Sequence, residues 1–390
     1  MDIGGFSVDI LPQPPPYLKV RRESYAFKSP SLAQAPRRGL GEDYIMMQNW
    51  ERLKTDSTYR ARMEKRAVIV TAVRGFFRSE GFLECETPTV VAVPGMEPYL
   101  DPFQTSVTRV DRKTFPAHLI TSPEYAMKKL LAGGLEKIFE ITRAYRNGEP
   151  WDGGHNPEFT MIEWYRANAD YTAIMSDTER MVSAVARIVT GSERIQYQGR
   201  EIDLASPWER MTVAEAFERF VGIDLGYGID DLEWFRAAVA SKDVMLQPND
   251  SFDDVFFKIF LRDVEPKLGT THPVILYEYP RSMAALARIK SSDPRYAERF
   301  EAYCGGMELC NAFSELNDIA EQRRRLEEER VLRRALGKED YGLDEKFLQA
   351  VGMMPLSAGI ALGIDRLVML LTDAATISDV LFFPAQDIFE

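Results

Sequence analysis

Cysteine is scarce in this chain: three in 390 residues, Cys85, Cys304 and Cys310. Their odd number and wide spacing exclude a disulfide framework and a zinc cluster, and suit a reducing compartment in which each thiol is a packing residue. Long apolar runs are missing as well. No stretch approaches the ~20 residues of a membrane span, and Asp2 with no basic lead argues against a secretory signal. The expected location is therefore cytoplasmic, with no membrane partner. Positive charge is in deficit: 48 Lys and Arg stand against 60 Asp and Glu, a net charge of −12. Such a surface is a poor general adhesive for RNA, although a local basic patch is compatible with it.

Residues 1–45 lack periodicity of either kind. Six prolines fall by Pro36, and Lys19, Arg21, Arg22, Lys28, Arg37 and Arg38 outnumber the local acids. This segment reads as an irregular basic extension on a main body covering 46–390. The 45% hydrophobic content is enough for a substantial core.

The stretch 137–166 is where the chemistry concentrates. Ile138, Glu140 and Thr142 alternate with Phe139, Ile141 and Arg143, a period of two that predicts a strand. Phe159 to Tyr165 is rich in aromatic and branched residues and predicts its partner. Gly148, Pro150, Gly153, Gly154 and Pro157 break regular structure between them. The expected object is an antiparallel hairpin with a wide polar loop, Arg146 at the end of the first strand and His155 near the start of the second. An arginine fork matches phosphate oxygens in pairs. Phe159 offers a face for a purine, and Glu149 a carboxylate for an exocyclic amine. An ordinary solvated hairpin would account for the same pattern.

Further elements follow in order. Met63, Ala67, Val70, Val73 and Phe77 predict a helix over 57–80, stopped by Gly81 and followed by a short strand ending at Thr87-Pro88. Ser122, Pro123 and Glu124 open a short helix running past Met127 and Leu130, where a carboxylate either supports the helix terminus or receives an amine. Residues 171–265 read as a helical insertion with a small hairpin about Gly199, a capping box at Thr212 and Glu215, and core aromatics Trp234, Phe252, Phe256, Phe257 and Phe260. Within 298–318, Glu301, Glu308 and Glu315 recur every seven residues, interleaved with Phe300, Leu309 and Phe313. Two carboxylates from adjacent strands suit Mg²⁺ on phosphates, a third suits an ammonium, and a solvated acidic face is the ordinary alternative. Residues 318–336 predict a charged helix. Gly359 to Asp365 leads to Arg366 at a helix start, a place to clamp a terminal phosphate.

Three of these strings, in this order, resemble motifs 1, 2 and 3 of the class II aminoacyl-tRNA synthetases. His155-Asn156-Pro157-Glu158-Phe159-Thr160-Met161 after Arg146-Asn147 is similar to the lysine branch in particular. The resemblance covers about 46–390 and implies an α+β class II catalytic fold, an antiparallel sheet flanked by helices, with motif 1 building a homodimer interface. It implies ATP and Mg²⁺ as cofactors. Arg146 and Arg366 would be catalytic. ATP would be held by Arg146, Glu149, His155, Asn156, Phe159, Glu308, Leu309, Gly363 and Arg366, with Glu301 and Glu308 on the metal. Ser122, Pro123, Glu124, Glu163, Tyr165, Asn311, Glu315 and Ala361 would hold a lysine-type substrate.

A lysyl-tRNA synthetase carries an anticodon-binding barrel of roughly 70 residues or more, which the first 45 residues cannot supply. A core without that OB domain is similar to the elongation factor P lysine ligases, which attach β-lysine to a lysine of that factor. Glu163-Trp164-Tyr165-Arg166 and Ala361 agree with the ligase version. The resemblance thus implies elongation factor P as the acceptor, lysine or β-lysine as the substrate, and little use of tRNA. Two departures stand out: Gly148 precedes Glu149, so the motif 2 loop is one residue longer, and Ala312 replaces a usual glycine. Charging of tRNA or another amine, and a non-catalytic ligand-binding paralogue, are the alternatives.

Overall fold

The computed structural model describes residues 47–151 and 153–390; the basic extension expected at 1–45 lies outside them. Helices α1 (Asn49–Thr55) and α2 (Ser57–Ser79) come first. Asp56 caps α2 by accepting from the Tyr59 N–H, and the chain turns at Gly81 with φ 80°. There follow β1 (Leu83–Glu84), β2 (Val90–Val91), β3 (Gln104–Thr108), β4 (Thr114–Leu119), α3 (Glu124–Ala132), β5 (Lys137–Tyr145) and β6 (Glu158–Ala167). Next are α4 (Tyr171–Thr190), β7 (Arg194–Tyr197), β8 (Arg200–Asp203), β9 (Glu209–Thr212), α5 (Val213–Val221), α6 (Leu225–Asp230), α7 (Leu232–Ala240) and α8 (Phe252–Ile259). The chain ends through β10 (Val274–Pro280), β11 (Tyr296–Cys304), β12 (Met307–Ser314), α9 (Ile319–Ala335), α10 (Glu345–Met353), β13 (Ser357–Gly363), α11 (Ile364–Leu371) and α12 (Ala385–Phe389). Among the described residues no helix is long and apolar enough to cross a membrane.

An eight-stranded sheet in the order β1-β5-β6-β13-β12-β11-β10-β9 organises the molecule. The expected antiparallel pairing holds through its centre, but β1 on β5 and β9 on β10 are parallel, so the sheet is mixed. The strand period of two sorts the residues between its faces. Phe139, Ile162, Trp164, Ala302, Cys310, Ala312, Ile360 and Leu362 point into the main core with α2, α4 and α11. Phe77 of α2 is fully buried there, with ring centroids 5.2 Å from Phe139 and 4.8 Å from Trp164. The alternate positions carry Glu140, Phe159, Glu163, Tyr165, Glu301, Asn311, Gly359 and Ala361 onto the opposite face. Ile138 and Tyr165 there meet Met127 and Leu131 of α3. The sheet is thus roofed on one side by apolar helices and presents on the other a polar floor over its central strands, flanked by smaller apolar clusters.

The helical insertion expected over 171–265 is narrower than the sequence pattern implied. Helix α4 buries Ile174, Met181, Val182 and Val185 in the main core, and β9 is an edge strand of the main sheet. Helices α5 to α8 gather around a second core, built on Phe217, Phe235, Phe256 and Phe260, against Met211 of β9, Val274 and Leu276 of β10 and Tyr303 of β11. Trp234 is not among its buried residues; it is 36% exposed against Tyr227.

Candidate active site

Two arginines mark the ends of the polar floor. Arg146 leaves β5, its N–H bonded to Pro157 O at 2.9 Å, and its guanidinium lies 5.0 Å over the Phe159 ring. Its Nε is buried without a hydrogen-bond partner. The loop beyond is pinned by the Asn147 N–H on Asp101 O at 2.6 Å, and Gly148 takes φ 72°, a conformation natural to glycine. Glu149, just beyond that turn, is half-buried. Arg366, in the first turn of α11, donates Nη1 to Glu308 O at 2.7 Å, lies 3.6 Å from Glu308 Oε2, and brings Nη2 to 3.4 Å from His155 Nε2. Arg366, Glu308 and His155 therefore converge. A Cβ on Gly363 would make only ordinary 3.7 Å contacts with Arg366, so no close approach there demands glycine.

Two expected ATP ligands face elsewhere. Asn156 does not enter the site: its Nδ2 donates to Glu158 O at 2.6 Å and its Oδ1 accepts from the Ala385 N–H at 2.9 Å. The amide is spent on main chain and ties the loop to α12. Leu309 is 2% exposed in the main core on the other face, so only its backbone is available to a ligand.

The substrate residues do meet. Ser122 donates to Glu163 Oε1, and Tyr165 Oη donates to Glu163 Oε2 at 2.8 Å. The Glu124 N–H donates to Ser122 Oγ at 3.1 Å, with Pro123 at the N-cap of α3. Glu315 follows β12, and a Cβ on Gly359 would overlap the Tyr165 ring and stand 2.6 Å from Glu315 Oε1. Glycine is sterically required there, because Tyr165 and Glu315 meet over the bare backbone. Ala361 is paired in register with both Asn311 and Glu163. Burial, with Glu124 adding repulsion, pushes Glu163 upward; burial likewise raises Glu315, against the pull of Lys128. A pocket of carboxylates that resist ionisation is built to receive cations.

Glu301 and Glu308 come from paired strands, opposite Asn311 and Tyr303 respectively. Glu301 is engaged by Tyr279 and Tyr303 hydroxyls at 2.6 Å each and by Arg299, whose Nε also donates to Asn311 Oδ1 at 3.1 Å. Burial opposes its charge, but Arg299 and the two hydroxyls outweigh burial and hold it below the usual glutamate range. Among the described residues no cluster of three or more metal-type side chains occurs. A pair of carboxylates that takes its other ligands from phosphate oxygens fits magnesium chemistry. Glu301 would have to share with its present donors.

Three contributors were not singled out from sequence. Lys128 puts Nζ 2.5 Å from Glu124 Oε1 and 2.6 Å from Glu315 Oε2, with its side chain fully buried. Its place four residues after Glu124 on a helix was the available signal. Arg66 of α2 pairs with Asp365 at 2.6 Å, and Asp365 also accepts from the Thr160 N–H at 2.7 Å. That buried junction ties α2, β6 and α11 together immediately beside Arg366.

A sheet with this topology and this arrangement of arginines and carboxylates defines the class II synthetase fold, and the family model for class II tRNA synthetases (D, K and N) matches residues 41–387. The chain belongs to that family. It is 39% identical over 372 residues to a lysine–tRNA ligase of Pelotomaculum thermopropionicum, covering 94% of this chain and 72% of that one. It is 41% identical over 322 residues to the lysine–tRNA ligase of Moorella thermoacetica, covering 82% and 64%. It is also 35% identical over 371 residues to that of Neisseria meningitidis, covering 94% and 72%. The chain is a lysyl-tRNA synthetase-like member of the ATP-dependent ligases.

Proposed function

We propose that the chain activates lysine or β-lysine as an aminoacyl-adenylate and transfers it to a lysine side chain of elongation factor P. The observation that carries the substrate half is the gathering of Glu124, Glu163 and Glu315 into one buried cluster with Lys128 and Tyr165. In the first step a carboxylate oxygen of the amino acid attacks the α-phosphorus and pyrophosphate departs. Arg146 stabilises the charge that grows on the α-phosphate, the kind of preorganised electrostatics that dominates such steps. Phe159 stacks the adenine, Glu149 accepts its amine, and His155 and Arg366 orient the outer phosphates. Magnesium held by Glu301 and Glu308 would neutralise phosphate charge. In the second step the acceptor amine attacks the adenylate carbonyl, the acyl–phosphate bond breaks and AMP leaves. No side chain of the enzyme becomes covalently bound.

The acceptor half rests on the ligase-like strings around Glu163 and Ala361 and on the net charge of −12, which disfavours a broad RNA-binding surface. The second reading, charging of tRNA, is favoured by the names of the relatives, lysine–tRNA ligases. Pairing into a homodimer through α2 and β1 is supported by exposed Val68 and Leu83 on those elements. The deciding experiment is ATP–pyrophosphate exchange with lysine and β-lysine, followed by transfer of labelled amino acid to elongation factor P or to tRNA. Exchange with both acceptors inert would remove the named partner and keep the ligase; charging of tRNA with the factor untouched would establish the second reading.

A further inference from the structure

Lys128 is the least expected feature of the amine pocket. A fully buried ammonium stands among the very carboxylates assigned to a cationic substrate. It takes Oε1 of Glu124 and Oε2 of Glu315. That leaves Glu315 Oε1, the oxygen that stands against bare Gly359. Glu163 is oriented separately by Ser122 and Tyr165.

Among these four side chains the charges can be counted. Glu124, Glu163 and Glu315 amount to three negative charges when ionised, and Lys128 supplies one positive charge. Two ammonium groups are needed to neutralise the remainder. A substrate with one ammonium leaves a buried carboxylate uncompensated, which must then be protonated. We propose that Lys128 is a specificity-determining residue, a built-in third cation that spaces Glu124 and Glu315 and sets the pocket for substrates bearing two ammonium groups. This rests on the reading of the pocket as a lysine-type amine site.

The surroundings are consistent with a permanently charged lysine. Burial works against its charge, but Glu124 and Glu315 outweigh it and move its pKa upward. Glu163 and Tyr165 on β6 and Glu315 beyond β12 line the same pocket. Further out, Glu97 in the loop before β3, Glu329 on α9 and Arg288 act on these carboxylates electrostatically. Removing the ammonium forces Glu124 and Glu315 into like-charge contact, so one of them holds a proton to higher pH.

The test is ATP–pyrophosphate exchange as a function of pH in wild type, Lys128→Met and Lys128→Arg, with lysine, β-lysine and norleucine. Lys128→Met should raise the KM for the diamino acid at least tenfold at pH 7 and move the half-maximal pH upward by about one unit. Its preference for lysine over norleucine should shrink, while the KM for ATP stays within about threefold. Lys128→Arg keeps the charge and should retain the wild-type pH midpoint whatever its KM. Added methylammonium should restore exchange to a Lys128→Ala protein, and methanol should not. A Lys128→Met enzyme with the wild-type midpoint and KM, or Met and Arg variants with the same shifted midpoint, would overturn the proposal. Absence of exchange with any diamino acid in wild type would remove the underlying reading and the proposal together.

Discussion

Arg146 lies across the face of Phe159, so an adenine ring stacking on Phe159 would take the face that the guanidinium now covers. Nucleotide binding and delivery of the guanidinium to phosphate are then one event. Arg146→Ala should lower pyrophosphate exchange at least ~100-fold, in line with the loss of one preorganised donor at a developing charge. Circular dichroism should report an unchanged fold; near-normal exchange would take Arg146 out of the reaction. Glu315→Gln should weaken lysine-type substrates by about 2 kcal/mol or more while sparing ATP, since a buried ammonium loses a charged partner. Equal losses for both ligands in titration calorimetry would move Glu315 out of the amine site. The acids also predict a pH dependence. Burial raises Glu163 from 4.5 to about 8 and Glu315 to about 7. A raised folded pKa contributes stability that is full below the unfolded value and lost as pH climbs through the folded one. The protein alone should therefore lose this contribution between roughly pH 4.5 and 8. Lysine, which favours the ionised acids, should bind with proton release and give a thermal shift that grows from pH 6 to 8.5. An increment that is flat with pH would show that the acids are already ionised. At this scale the strings single out Tyr165, Glu163 and Glu315, and the structure places them side by side. They do not show the tie of Asn156 to main chain, because its partner Ala385 is 229 residues away.

Among the elements, the β5–β6 hairpin was legible because alternation and a Gly- and Pro-rich loop both point to it. Strand β9 was not: Glu-Arg-Met-Thr carries no period, and its parallel partner β10 follows the whole block α5 to α8. For the same reason α4, amphipathic and adjacent to that block in sequence, reads as part of it until the packing places it over the main sheet. The junction of α2, β6 and α11 has its own consequence. Asp365 is 1% exposed and paired with Arg66. Asp365→Ala leaves a buried guanidinium without its carboxylate and should cost about 3–5 kcal/mol in urea unfolding. Because the junction abuts Arg366, the same variant should also raise the KM for ATP; an unchanged denaturation midpoint would mean that water satisfies Arg66 in place of Asp365.

For the molecule as a whole, charge is the deciding quantity. A net charge of −12 should make association with RNA weak and steeply dependent on salt. Transfer to a protein acceptor is expected to survive 150 mM salt, with tRNA charging small at the same ionic strength. Retention of efficient tRNA charging there would reverse the order of the two readings. The overall fold was readable because the three motif-like strings fall in order along the chain; the mixed character of the sheet was not, since its two parallel pairs are formed by strands of two and four residues.

The tie between Asn156 and Ala385 also bears on how the protein is made. Asn49 near the start of the described chain donates to the carbonyls of Ser378 and Leu381, and its N–H meets Asp387. The last dozen residues thus lock both the first helix and the nucleotide loop. A ribosome delivers them last, after the sheet and the amine pocket have already emerged. A chain terminated near residue 378 would hold every arginine and carboxylate of the site, yet lose the Ala385 N–H from Asn156 Oδ1 and the Leu381 and Asp387 partners of Asn49. Termination there should therefore yield a compact but inactive product, and activity in a coupled translation reaction should appear only once α12 has been made.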